Sequence, residues 1–475
     1  MTLHGCACGL LLVLFSAGVA GAQATTESDK LKAEAETAYR EGEFAKCLEL
    51  TTRLLAQNPK DHGAMYLRAS SHVELGVVRR DGKELRQGVE DARESLRLGG
   101  PSEINYYLPY MYGMTALANL EGRKEHADVV LQVAKSVLDR PALTPEQRAN
   151  TLYQRAAAYI HLKNMEAAIQ DYQAAIKSFP GHLGSHVGLA ESFVVSQQAD
   201  KALAAFSSAV ETFPTNPLVY NNRGLFLQQQ KRLNEAVADF NKALQIDPKF
   251  AVAHTNRGFT QQTAGNLAAA EADYSEAIKL DQANPLFLSL RGTCRLSQGN
   301  TAGAIEDYNQ AIRLAPQNPV AYADLGFAKY FSRDLAGAQA AFDQAVALDA
   351  NMRYLNPWRC WVLLLMGKPD GTAQMLEASA KKVEGERDWI DQLVLFLNGK
   401  ISEQDLVNAV AKVTDANLKN AQLCEAYYFV AERRSQAGDK ANATAFYQEV
   451  LKTKAVQLSA YRGAQFVQGS FGPPK

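Results

Sequence analysis

The chain lacks an excess of charge of either sign. Its 475 residues carry 50 Lys plus Arg against 51 Asp plus Glu, a net charge of -1. A balanced surface cannot supply the counterion release that drives phosphate-backbone binding, so nucleic acid is excluded as a main partner. No polybasic segment is present to hold an anionic bilayer. Beyond Cys6 and Cys8 in the first residues, close Cys pairs are missing too: of 6 cysteines, Cys47, Cys294, Cys360 and Cys424 are far apart in sequence. That spacing excludes the usual zinc and dithiol motifs. No phosphate-cradling glycine loop, G-x-S-x-G elbow or H-E-x-x-H pair occurs, so the sequence predicts no enzyme, no cofactor and no metal site. His182 and His186 share an i, i+4 spacing, but Pro180-Gly181 puts the first in a turn and no third ligand accompanies them.

Long apolar runs are also absent, apart from Cys8 to Ala20. At about 13 residues this is shorter than the roughly 20 a spanning helix needs. Ala20-Gly21-Ala22 follows with small side chains, which reads as a secretory signal ending at residue 22 and a mature chain beginning at Gln23. The stretch before it carries His4 but no Lys or Arg, so an uncleaved anchor is the alternative. Cys6 and Cys8 lie too early for lipid attachment. The expectation is a periplasmic or secreted protein with no integral membrane segment once the signal is removed.

What the chain does have is a period. Blocks of 34 residues begin at 149, 183, 217, 251, 285 and 319 without gaps. Position 20 of each block is Ala168, Ala202, Ala236, Ala270, Ala304 and Ala338, and position 27 is Ala175, Ala209, Ala243, Ala277, Ala311 and Ala345. Position 24 is aromatic throughout (Tyr172, Phe206, Phe240, Tyr274, Tyr308, Phe342) and position 8 is always Ala or Gly. Pro180, Pro214, Pro248 and Pro316 recur at position 32, where they stop a helix. Small residues at positions 8 and 20 let two helix axes approach closely, and the aromatic fills the remaining space. The pattern resembles the tetratricopeptide repeat. That resemblance implies an all-α fold: a right-handed superhelical solenoid of stacked helix-turn-helix repeats, with the first helix of each lining a concave face that binds peptides.

The period decays at both ends, as terminal repeats do when one face has no neighbour. Divergent repeats start near Ser28, His62 and Leu108, and the second gains about seven residues between its helices through Val77 to Lys83. A degenerate repeat begins at Arg353, with Cys360 and Gly367 in register. The expected organisation is a signal peptide at 1–22, divergent repeats at 23–148, six regular repeats at 149–352, a divergent C-terminal module at 353–468 and a loose tail at 469–475. From Trp389 to Phe446 the chain resembles periplasmic repeat lipoproteins of the NlpI type, in a Trp-led helix, the run Glu425-Ala426-Tyr427-Tyr428-Phe429 and the turn Gly438-Asp439. This second resemblance implies an adaptor for cell-envelope enzymes. This chain has no lipid-attachment cysteine and more repeats.

In the tetratricopeptide family the groove is lined by positions 2, 5, 6, 9, 12 and 13. Carried onto this chain, the candidates are Asn221, Asn222, Gln228, Asn256, Gln262, Phe327, Tyr330, Tyr354, Trp358 and Trp361. Lys and Arg are absent from these positions in the blocks from 217 to 353, which disfavours a carboxylate-clamping groove. The amides could pair with peptide backbone or simply be solvated. The aromatics suit apolar anchors, or else pack beneath the C-terminal module. Arg155, Arg223, Arg257 and Arg291 at position 7 point away from the groove and read as packing residues, whereas acidic pairs such as Glu306-Asp307 read as solvated. All four later cysteines are expected unpaired and mostly packed as small hydrophobes. The predicted function is a non-catalytic scaffold binding protein or peptide partners. The alternative is a structural protein whose groove is filled by its own termini or by a second copy in a homodimer.

Overall fold

The computed structural model describes residues 27–99, 103–382, 387–455 and 459–469. The expected signal peptide, with Cys6 and Cys8, lies outside these residues, as do positions 470–475 of the expected tail. Among the described residues there are 25 α-helices and no strand. The chain divides into two compact units, residues 1–223 and 224–475.

In the first unit α1 (Glu27–Arg40) pairs with α2 (Phe44–Gln57), α3 (His62–Arg79) with α4 (Gly82–Gly99), and α5 (Tyr107–Glu121) with α6 (Lys124–Leu138). Next come the hairpins of α7 (Pro145–His161) with α8 (Met165–Ser178) and α9 (Leu183–Val195) with α10 (Ala199–Thr212). The seven added residues near Val77 do not make the longer turn expected. They lengthen both helices to 18 residues each, leaving Arg80-Asp81 as the whole connection. Close packing explains this. A Cβ on Gly76 would lie 2.8 Å from the Leu85 side chain, and one on Gly88 would lie 2.7 Å from Val73, so the added turns run in tight contact.

The division between units falls inside α11 (Pro217–Gln229). The second unit continues with α12 (Leu233–Ile246) and three hairpins: α13 (Ala251–Thr263) with α14 (Leu267–Leu280), α15 (Pro285–Ser297) with α16 (Thr301–Leu314), and α17 (Pro319–Phe331) with α18 (Leu335–Leu348). A less regular module follows: α19 (Asn356–Leu365), α20 (Ala373–Ala380), α21 (Trp389–Leu397), α22 (Glu403–Ala411), the hairpin of α23 (Ala416–Gln436) with α24 (Lys440–Lys452), and α25 (Ser459–Gln468).

The repeat chemistry is visible in the packing. The position-24 ring lies directly over the position-8 glycine of its own hairpin. A Cβ would meet Phe240 at 2.8 Å from Gly224, Tyr274 at 3.1 Å from Gly258, Tyr308 at 2.9 Å from Gly292 and Phe342 at 2.5 Å from Gly326. The residue at position 15 turns the chain between helices and is left-handed whatever its type: Gly265 and Gly299 at φ 86° and 82°, but also Lys163, Gln197, Lys231 and Arg333 at φ 58–69°. Only glycine adopts this conformation without strain, so the other repeats hold it through the hairpin's packing.

Candidate functional site

Position 7 shows how the hairpins are tied together. Arg155 reaches Asp171 at 2.7 and 2.6 Å, Arg257 reaches Asp273 at 2.9 and 2.5 Å, and Arg291 reaches Asp307 at 3.0 and 2.7 Å, each through two guanidinium nitrogens. Three position-7 arginines also reach back one hairpin: Arg223 to Ser207 Oγ at 3.5 Å, Arg257 to Asn241 Oδ1 at 2.7 Å, Arg291 to Ser275 Oγ at 3.2 Å. Arg359 continues the series toward Asp343 at 2.7 Å. These arginines are therefore structural. The acidic pairs need correction: Glu306 is exposed, but Asp307 is 1 % exposed and accepts from both Arg291 and Arg295. Adjacent residues on a helix face different directions, so one carboxylate of each pair turns inward. Those two arginines hold it there.

The candidate groove amides are partly engaged within the protein. In the first unit Asn221 and Asn222 are both buried, and the Asn221 amide donates to Asn222 Oδ1 at 3.3 Å. In the second, Gln228 donates to Thr260 Oγ1 at 2.7 Å, linking successive first helices, and Gln262 Oε1 accepts from the Tyr274 hydroxyl at 2.9 Å. Asn256 and Gln262 keep partial exposure beside Phe259, which is 43 % exposed. On the next first helix Leu286 is 44 % exposed, with Ser289, Leu290 and Thr293 partly so. On α13 and α15 this face is thus accessible, and it is apolar with neutral polar neighbours; Val320 at the start of α17 is exposed as well.

The aromatic candidates behave differently. Phe327, Tyr330, Trp358 and Trp361 are all buried, so they do not offer anchors to a ligand; Tyr354 alone of the five stays exposed. The cause is the C-terminal module. Trp358 packs edge-on to Phe327 at 5.1 Å and against Tyr428 and Phe429 of α23 at 5.2 and 5.0 Å. Trp361 Nε1 donates to Glu432 Oε2 at 3.0 Å, Tyr330 OH donates to the same oxygen at 3.2 Å, and Tyr447 OH donates to Oε1 at 2.7 Å. One buried carboxylate thus gathers neutral donors from α17, α19 and α24 around α23. Burial and the neighbouring Glu432 charge push the Tyr330 and Tyr447 hydroxyls far above the ordinary tyrosine range, keeping them protonated as donors. Glu432 escaped the sequence reading because its partners lie up to 102 residues away.

The remaining titratable groups are accounted for by packing. His182 caps α9: its Nδ1 accepts from the Ser185 amide at 3.1 Å, and its Nε2 pairs with Asn150 Oδ1 at 2.9 Å. Burial lowers its pKa to about 4. His186 pairs with the Pro180 carbonyl at 3.0 Å, so both rings are committed to protein partners. No group of three or more His, Cys, Asp or Glu is placed to hold a metal ion among the described residues. Cys47, Cys294, Cys360 and Cys424 are free thiols and all are buried, as expected. No helix among the described residues is long and apolar enough to cross a membrane.

Three segments, residues 149–182, 217–250 and 260–319, match models of the tetratricopeptide repeat. These segments thus carry tetratricopeptide repeats within an all-α array of helical hairpins, and repeats of this type generally mediate protein–protein interactions. Among solved structures the chain is similar to Pseudomonas aeruginosa pilF, at 20% identity over 43% of this chain and 94% of that one, with a TM-score of 0.38. It is similar also to yeast Tom70, at 15% identity over 81% and 92%, with a TM-score of 0.40. A third is YrrB, described as a TPR protein with an unusual peptide-binding site, at 16% identity over 41% and 96%, with a TM-score of 0.31. No curated protein gives a significant match.

Proposed function

We propose that this protein is a non-catalytic scaffold that binds extended segments of partner proteins on the first-helix face of α13 and α15. The observation that supports the reading is the open patch around Phe259 and Leu286, 43 % and 44 % exposed, bordered by Asn256, Gln262 and Thr293. An aromatic anchor beside neutral donors and acceptors can hold apolar side chains while pairing with backbone independently of sequence. The compartment we propose is the cell envelope, reached after residues 1–22 are removed. The apolar run Cys8 to Ala20 supports export, and the likeness of the Trp389–Phe446 stretch to periplasmic adaptors supports envelope enzymes as partners.

A photo-crosslinking side chain at position 259 tests the binding face. It should capture discrete partners from an envelope fraction, and the same group at position 302, on exposed α16 surface, should not. Loss of that capture in the Asn256→Ala variant, with circular dichroism unchanged, is the expected companion result; equal capture from both positions would refute the face. N-terminal sequencing of the exported protein should begin at Gln23.

A second reading, a groove filled by the protein's own chain, is favoured at α17 and α19, where helices of the C-terminal module bury the aromatic candidates. Occupation there and binding at α13 and α15 are compatible within one unit.

A further inference from the structure

We infer that α25 is an intramolecular occupant of the first-helix face at α17, standing where a partner segment carrying a cation and an aromatic ring one helical turn apart would dock. The inference rests on reading that face as a docking surface. Phe466 stacks flat on Phe331 of α17, with ring centroids 4.6 Å apart and planes at 11°, and joins the cluster of Leu296, Tyr308 and Leu325. Arg462, four residues earlier on the same face of α25, acts electrostatically on Asp324 of α17. Burial raises the Asp324 pKa to about 6, and the Arg462 charge offsets part of that rise. The opposite face of α25 seats small residues on α23: a Cβ on Gly463 would lie 2.5 Å from the Tyr428 ring. So α25 meets α17 chiefly through Arg462 and Phe466.

Its length makes this occupant displaceable. At 10 residues α25 is below the length at which a helix holds itself together in water, so its order depends on its contacts. Although Ala460, Tyr461 and Ala464 are buried, a helix this short opens at lower cost than the α23–α24 hairpin beside it.

The test uses the full chain with Arg462→Glu and Phe466→Ala, and a fluorescent synthetic peptide spanning residues 459–469 as probe. The doubly substituted chain should bind the peptide saturably, with at least about tenfold higher affinity than the unsubstituted chain, whose own α25 competes. Adding Phe331→Ala should cut that binding by about tenfold, the scale of a lost buried aromatic contact. Hydrogen exchange supplies the fold control: α25 amides should exchange faster in the substituted chain while α23 and α24 keep their protection. Absence of peptide binding, equal binding by the unsubstituted chain, or loss of α23 protection together with α25 would each overturn the inference. Crosslinking at position 259 reads a different face, so failure here and failure of the proposed function can be told apart.

Discussion

Asp307→Ala would remove the most deeply buried of the arginine-paired carboxylates Asp171, Asp273 and Asp307. Its two oxygens accept from Arg291 Nε at 3.0 Å, Arg291 Nη2 at 2.7 Å and Arg295 Nη1 at 3.0 Å, and the side chain is 1 % exposed. Alanine leaves two guanidinium groups facing an apolar seam. Breaking a buried ion pair from one side costs about 3–5 kcal/mol. The Arg291 and Arg295 side chains are 18% and 19% exposed and can turn partly to water, which places the expected loss near the lower end, at about 3 kcal/mol. In a repeat array that loss is felt mainly by the hairpin itself and its neighbours. Amide exchange in α15 and α16 should therefore accelerate on the order of 100-fold, at about 1.4 kcal/mol per decade. The control is Asp343→Ala, whose carboxylate is 46% exposed opposite Arg359 and whose loss should cost under about 1 kcal/mol. Urea melts followed by circular dichroism would rank the two variants independently. If Asp307→Ala perturbs its hairpin no more than Asp343→Ala does its own, the ladder is not a source of stability and the reasoning fails.

Three further outcomes can be checked on the same protein. Gly326→Ala should lower the urea midpoint despite a helix-propensity gain of about 1 kcal/mol, because its Cβ would sit 2.5 Å from the Phe342 ring; combining it with Phe342→Leu should restore part of the loss. Burial pushes the thiols of Cys294 and Cys360 up to about 11 and that of Cys424 up to about 12, and raises Cys47. A thiol reagent at pH 8 should thus titrate no cysteine beyond residue 23 until denaturant is added, and fast labelling of any of them would contradict their burial. Glu191, raised to about 7 by burial, contributes stability that fades as pH rises from its unfolded value through 7, whereas His182, lowered to about 4, contributes stability that is lost as pH falls from about 6.5 to 4. These slopes oppose each other, so Glu191→Gln should uncover a rise in stability between pH 4 and 6.5 that the unsubstituted protein masks.

Much of the fold could be read from residue size alone. Ala at positions 20 and 27, the aromatic at 24 and the small residue at 8 each specify a contact within one hairpin or with its neighbour, so a 34-residue window contains the information. The inserted residues at Val77 were misjudged because composition does not separate a long turn from extra helical turns; Gly76 and Gly88, which allow the close approach, were the available signal. The arginine half of the ladder was legible and the aspartate half was not, since Asp307 follows exposed Glu306 in an ordinary-looking acidic pair. The candidate site was least legible. Whether Trp358 and Trp361 line a groove or a core is decided by Tyr428, Phe429 and Glu432, and no periodicity links those distant residues to them.

The backward-reaching arginines do not run unbroken. Position 7 is Leu189 in the repeat beginning at 183 and Leu325 in the one beginning at 319, so neither α9 nor α17 sends a guanidinium to the hairpin before it. Stretched from its ends by a tether, such a chain would not peel evenly. It would give way first before α17, because before α9 the His182 ring, paired with Asn150 of the preceding hairpin, still rivets the seam.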